Sequence, residues 1–147
     1  MKVLAVASGG GHWVELLRLR LAFEGQEVIY MSTNESFRKT VPESEFVVVP
    51  EVSRWDKLKL ISSIFKMYSI IKSLKPDTII TTGAAPGVLS LFIGKLLGCK
   101  TIWVESMCHA GKISISGKMA KKFASRVYTQ YPHLATNGII YSGNIMS

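Results

Sequence analysis

Seven short, mostly apolar runs recur along this chain, and segments with helical patterning separate most of them. That alternation constrains the fold more than any other feature. The runs are residues 2–7 (KVLAVA), 27–31 (EVIYM), 46–49 (FVVV), 78–82 (TIITT), 101–104 (TIWV), 126–129 (RVYT) and 139–141 (IIY). Their length and β-branched content fit strands, several of them buried on both faces. Between them, residues 12–23 place Val14, Leu16, Leu17, Leu21 and Phe23 at helical spacing, with Gly25 as a stop. Residues 55–74 form a long helical pattern ended by Pro76, which disfavours helix at Lys75. Residues 87–97, closed by Gly98, and residues 113–124 supply two more helices. Strands joined by helices of this length imply right-handed crossovers and a mainly parallel sheet. The predicted fold is therefore α/β: a Rossmann-like parallel sheet with helices on both faces. At 147 residues the chain is of single-domain length, so residues 1–147 are read as one domain.

This architecture restricts where a ligand sits. Open parallel sheets bind ligands beyond the carboxyl ends of their strands. The segments predicted there are residues 8–12, 32–35, 82–86, 105–111 and 143–144. In the first, Ser8, Gly9, Gly10, Gly11 and His12 link a strand to a helix. Three glycines permit a sharp turn and close approach of backbone N–H groups to a ligand, and a helix amino terminus can hold an oxyanion. His12 either bonds a sugar hydroxyl or acts as a base; the plainer alternative is a tight turn with a solvent-facing histidine. The dinucleotide fingerprint is absent, because its third glycine would fall at Val14. A phosphate loop of the Walker type is absent too.

Gly83, in the small-residue segment 81–87, allows a ligand or a neighbouring chain near the backbone, or simply connects strand to helix. Glu105, at a strand end and followed by Ser106, can accept a hydroxyl proton or orient a sugar; it can equally pair with a surplus lysine. His12, His109 and His133 lack zinc-ligand spacing, and no reactive-cysteine signature surrounds Cys108. The expectation is neither metal nor cofactor. Cys99 and Cys108 read as reduced thiols.

Eighteen basic against ten acidic residues give a net charge of +8, in a chain that is 48% apolar. That mixture favours an anionic partner. Residues 57–75 carry five lysines among ten apolar residues. Lys57, Lys59, Phe65, Lys66 and Lys72 are candidates for contact with a membrane surface, lysine stems snorkelling around an apolar patch; the alternative is a crossover helix with a solvated lysine face. Residues 106–126 hold no acid but include Lys112, Lys118, Lys121, Lys122 and Arg126, a patch suited to a lipid diphosphate or phospholipid head groups. Nothing resembles a base-stacking platform, so nucleic acid is not an expected partner. Neither a signal peptide nor an apolar run of spanning length is read in the sequence, so the expected location is cytoplasmic, peripheral on the inner face of the cell membrane.

Gly10-Gly11-His12 after the first strand resembles the amino-terminal half of two-domain GT-B glycosyltransferases that add a sugar to a lipid-linked acceptor, among them the lipid II-forming N-acetylglucosaminyltransferase. Residues 104–108 (VESMC), 114–118 (SISGK) and Tyr131-Pro132 resemble the accessory subunit of the split UDP-N-acetylglucosamine transferase of the dolichol pathway, and equally its capsule and exopolysaccharide counterparts. Gly143-Asn144 is similar to the Gly-Asn that precedes the crossing into the nucleotide-sugar half of undivided enzymes. With the chain read to stop at Ser147, the expectation is that the donor-binding half is a separate chain. The resemblance implies that this chain supplies the acceptor side and membrane contact while a donor-binding glycosyltransferase subunit holds the UDP-sugar. Eukaryotic members carry an amino-terminal anchor and often Arg where His109 stands.

The expected function is that of a non-donor subunit transferring a hexose from a UDP-sugar to a polyprenyl-diphosphate-linked sugar acceptor in polysaccharide biosynthesis. His12 and Glu105 are its candidate catalytic residues; Ser8, Gly9, Gly10, Gly11, Gly83, Ser106 and Asn144 are its candidate substrate contacts. Two other readings stand beside it: a membrane recruiter without catalytic residues, and an independent small nucleotide-binding enzyme.

Overall fold

The computed structural model describes residues 1–52 and 55–145; Ser147, where the chain was read to stop, lies outside them. Among these residues, seven strands form one sheet: β1 (Lys2–Ala7), β2 (Glu27–Ser32), β3 (Glu45–Val48), β4 (Thr78–Gly83), β5 (Lys100–Val104), β6 (Arg126–Thr129) and β7 (Ile139–Tyr141). Their order is β3-β2-β1-β4-β5-β6-β7, and each neighbouring pair is parallel. All seven predicted runs are strands.

Among the described residues, four α-helices complete the fold: α1 (Gly11–Arg18), α2 (Lys57–Leu74), α3 (Ala85–Leu96) and α4 (Ile115–Lys121). They lie on both faces because strand side chains alternate. Leu4 and Val6 of β1 point into one core with Met67 and Ile71 of α2, Leu91 and Ile93 of α3, and Ala120 of α4. Val3, Ala5 and Ala7 point into the other, with Trp13 and Leu16 of α1, Phe23, Tyr30 and Phe46.

The helix ends differ from expectation where local capping decides them. The first helix is α-helical only to Arg18 and finishes as a 3₁₀ turn, Arg20–Phe23, a common way for a short helix to end. A second 3₁₀ turn, Glu35–Thr40, was not anticipated; Asn34 caps it by accepting from the Ser36 N–H at 2.9 Å. Asp56 starts α2 at Lys57 rather than at residue 55, its carboxylate accepting from the N–H groups of Leu58 and Lys59 at 3.1 Å each. Lys75 ends that helix in the left-handed conformation (φ 52°), outside the right-handed region that Pro76 disfavours. Ser114 caps α4, shortening the predicted helix at its start.

Two features set the site. Strand order reverses between β1 and β4, the position where open α/β sheets form their ligand crevice. There the register slips: Val6 pairs with Thr81 but Ala7 with Gly83. Thr82 is thus an extra residue in β4, and such bulges re-aim groups beside functional sites.

Candidate functional site

The glycine loop sits at the reversal point. Gly10 has φ 67°, a conformation open to glycine, and a Cβ on Gly9, Gly10 or Gly11 would meet nothing within 4 Å. The loop is therefore exposed to the crevice. Its base is fixed: the Ser8 N–H donates to the Gly83 carbonyl at 2.9 Å.

His12 opens the first turn of α1 and is held from two directions by the bulged Thr82. The Thr82 hydroxyl donates to the His12 carbonyl at 2.6 Å. The His12 Nδ1 lies 2.9 Å from the Thr82 carbonyl. A carbonyl only accepts, so Nδ1 carries a proton, and in that tautomer Nε2 is the ring's acceptor. Gly83 serves this arrangement: with φ 120°, a Cβ there would lie 2.9 Å from the ring's Nδ1 and Cε1. Gly83, read from sequence as a substrate contact, is packed against His12.

Glu105 occupies a different environment. It is 2% exposed. Its Oε2 accepts from the Trp103 indole at 3.0 Å and its Oε1 from the Ser114 N–H at 3.3 Å. Gly117 makes room for it, since a Cβ at that position would fall 2.0 Å from Oε2. The carboxylate lies under the amino end of α4, where negative charge is favoured. Ser106 is likewise enclosed at 4% exposure. Its hydroxyl donates to Glu15 Oε1 at 3.0 Å and accepts from the Cys108 N–H at 3.2 Å. The geometry brings His12 and the glycine loop together at the crevice and puts Glu105 and Ser106 beneath the loop that follows β5.

Two residues not singled out in the sequence organise that loop. Glu15, 8% exposed, reaches from α1 to accept from the Ser106 hydroxyl and from the Met107 N–H, each at 3.0 Å. Its other oxygen is buried without a hydrogen-bond partner among the described residues. Gln130 donates to the Glu105 carbonyl at 3.4 Å and accepts from the Ile145 N–H at 3.0 Å, tying the segment after β7 to β5. Asn144, half-buried, lies in that segment. Tyr131 adds a third brace, its hydroxyl donating to the Met107 carbonyl at 2.6 Å. The spacing of Glu15, three residues after His12, was the available signal, because on a helix it shares a face with the histidine.

Lys57, Lys59, Phe65, Lys66 and Lys72 are all on the exposed side of α2. Leu58, Ile61 and Phe65 leave an apolar stripe there, Phe65 being 70% exposed. Phe92 and Leu96 of α3, with Ile115 and Met119 of α4, extend exposed apolar surface on the same side of the sheet. Among the described residues, no helix is long and apolar enough to cross a membrane. Nor, among them, do three or more His, Cys, Asp or Glu side chains converge as a metal site.

The family described as "Oligosaccharide biosynthesis protein Alg14 like" matches residues 51–145. UDP-N-acetylglucosamine transferase subunit ALG14 of Mus musculus is 24% identical over 91% of this chain and 77% of its own length. The subunit of that name from Schizosaccharomyces pombe is 32% identical over 65% of this chain and 49% of its own. Among solved structures, Acinetobacter baumannii MurG superposes with a TM-score of 0.77 at 15% identity, covering 96% of this chain. The chain spans 45% of that MurG structure, a likeness of fold to one part of a GT-B glycosyltransferase. With the family match extending over well more than half of its residues, this chain belongs to the Alg14-like family of oligosaccharide biosynthesis proteins.

Proposed function

We propose that this chain is the acceptor-side subunit of a UDP-N-acetylglucosamine transferase, and that a separate donor-binding subunit completes its crevice. The relatives' names favour N-acetylglucosamine over an unspecified hexose as the sugar transferred. The acceptor is a sugar carried on a polyprenyl diphosphate. The observation that carries the reading is the fixed His12 ring, with Nδ1 engaged by the Thr82 carbonyl and Nε2 left as the acceptor at the strand-order reversal.

In this mechanism Nε2 takes the proton of the attacking acceptor hydroxyl. The hydroxyl oxygen forms the bond to the sugar's anomeric carbon as the bond to the UDP oxygen breaks. The open glycine loop, with Ser8 at its base, offers N–H groups to hydroxyl or phosphate oxygens. Glu105, Ser106 and Glu15 act as positioning residues, holding the loop after β5 at the crevice rim. The lysine and apolar surface of α2 docks the chain on the cytosolic membrane surface. Asn144 stands where the partner subunit approaches.

The test is transfer by the chain co-expressed with its donor-binding subunit, using UDP-N-acetylglucosamine and a polyprenyl-diphosphate-linked sugar. His12→Ala is expected to lower kcat by about 100-fold or more, the usual contribution of a general base, with assembly of the pair unchanged. Undiminished transfer by that variant would leave the chain as a recruiter only. Efficient turnover by the chain alone would refute the division of labour.

A further inference from the structure

The bulge at the end of β4 frees one residue from both neighbouring strands. The register on β1 passes from Thr81 to Gly83 and skips Thr82, and the pairing with β5 ends at Thr81. Thr82 is nevertheless buried, at 1% exposure, so its polar groups need partners inside the protein. Its carbonyl and its hydroxyl find the same residue. The carbonyl accepts from His12 Nδ1 at 2.9 Å, and the hydroxyl donates to the His12 carbonyl at 2.6 Å. The residues on either side are pinned. The Thr81 hydroxyl accepts from the Gly83 N–H at 3.1 Å, and the Gly83 carbonyl accepts from the Ser8 N–H at 2.9 Å. The Thr82 carbonyl therefore has a fixed direction. Across the contact, α1 begins at Gly11 behind Gly10, and glycine offers no side chain to anchor the first turn. A hydroxyl from β4 supplies that anchor instead.

We propose that Thr82 is a positioning residue for the transfer reaction: its hydroxyl holds the main chain of His12 at the distance that keeps the ring on the Thr82 carbonyl. The inference rests on the reading of His12 Nε2 as the base. The two bonds divide the work. The carbonyl selects the tautomer, because a ring protonated on Nε2 alone would turn the Nδ1 lone pair towards the carbonyl oxygen. The hydroxyl fixes the point from which the ring extends. A valine methyl in its place would keep about 3.3–3.6 Å from the His12 carbonyl oxygen. Set against the present 2.6 Å contact, the first turn of α1 would then stand off by roughly 0.7–1 Å. A displacement of that size at a reacting group costs up to about 100-fold in rate. Being buried, Thr82 acts through His12 and does not itself meet the substrate.

The experiment compares Thr82→Val, Thr82→Ala and Thr82→Ser in the full chain by two readouts. The first is transfer by the chain co-expressed with its donor-binding subunit. Thr82→Val and Thr82→Ala are expected to lower kcat by about 10–100-fold with KM within about twofold, whereas Thr82→Ser, which keeps the donor, stays within about threefold of the unaltered chain. Thr82→Val added to His12→Ala is expected to slow transfer no further than His12→Ala alone, because both changes act through one group. The second readout is proton–nitrogen correlation NMR of the chain alone, its histidines isotope-labelled, at about pH 8, above the ordinary range of histidine. The His12 signals are assigned by their loss in His12→Ala. The unaltered chain and Thr82→Ser are expected to carry the proton on Nδ1, and the valine and alanine variants to show a mixture of the two neutral tautomers. Unchanged kcat in both of those variants overturns the proposal, as does an unchanged tautomer in both. Failure of Thr82→Ser to retain activity overturns it as well. So does loss of the fold in both the valine and alanine variants, read by urea unfolding, which makes the hydroxyl a brace of the sheet. The two readings fail separately. Undiminished transfer by His12→Ala removes the base, whatever the spectra of the Thr82 variants show. Lost transfer by His12→Ala beside undiminished transfer by Thr82→Val and Thr82→Ala keeps the base and removes the role of Thr82.

Discussion

Gly83→Ala tests whether the His12 ring is held as described. The new methyl carbon would stand 2.9 Å from Nδ1 and Cε1 of the ring, and the backbone at φ 120° is unfavourable to any residue with a Cβ. Two costs follow. The backbone conformation costs of order 1–3 kcal/mol. The ring is the mobile end of a side chain, so it swings away rather than compressing. What it loses is the hydrogen bond to the Thr82 carbonyl, worth about 1 kcal/mol. Together they amount to about 2–4 kcal/mol, or a fall in Tm of about 5–15 °C for a domain of this size. The assay is a double-mutant cycle with His12→Ala, read by thermal and urea unfolding. With the ring gone, Gly83→Ala retains only its backbone cost, so the cycle shows a coupling of about 1 kcal/mol. Additivity within about 0.5 kcal/mol, the usual result for independent sites, would refute the contact and with it the oriented Nε2.

Gly117→Ala would press a methyl carbon to within 2.0 Å of Glu105 Oε2, a group locked by two donors, and is expected to cost about 3 kcal/mol as overpacking; denaturant midpoints should recover part of this when Glu105→Ala is added. Glu15→Ala strands the Ser106 hydroxyl and the Met107 N–H, with an expected loss of about 2–4 kcal/mol, checked by the same unfolding measurement. Replacing Lys57, Lys59 and Lys66 together by Ala should weaken co-sedimentation with anionic vesicles about 100-fold, from about 1 kcal/mol per lysine, and unaltered sedimentation would exclude α2 as the membrane contact. Burial, helped by the Asp77 charge, raises the Cys99 thiol above its ordinary value of 9.0, whereas Cys108 is exposed; iodoacetamide at pH 8 followed by mass spectrometry should find Cys108 modified first. Because the folded thiol holds its proton more tightly, the associated stabilisation is complete below the unfolded thiol's value and is lost as pH rises through the raised one, so Cys99→Ala should flatten the alkaline limb of the stability profile.

The strands were legible because each apolar run is short, β-branched and sharply ended, and a parallel order follows when helices intervene. Helix starts were less legible, because a single cap decides them: Asp56 and Ser114 each moved a boundary by two residues. The glycine loop and His12 were found from their place after β1. Glu105 illustrates what such placement leaves open. A carboxylate after a strand faces either the crevice or the layer above, and here the absence of a side chain at Gly117, twelve residues onward, lets it turn under α4. Glu15 was hidden for the opposite reason. In the sequence it is an ordinary polar position on an amphipathic helix, and its partners lie 91 and 92 residues away.

These buried carboxylates explain how an acid-free, mobile-looking segment can present a defined edge. Residues 106–114 contain two glycine or alanine neighbours and no regular structure, so their shape depends on bonds from outside. Glu15 and Tyr131 hold the start of the segment at Met107, and Glu105 holds its end at Ser114. Each brace comes from a different place: α1, the residue after β5 and the segment after β6. The same loop leads through Lys112 into α4 on one side and is tied to α1, the helix of His12, on the other. A change at any brace should therefore loosen this edge of the crevice, whereas a change at an exposed α4 residue such as Ile115 should leave the edge in place. That difference separates a residue that shapes the site from one that only faces outward.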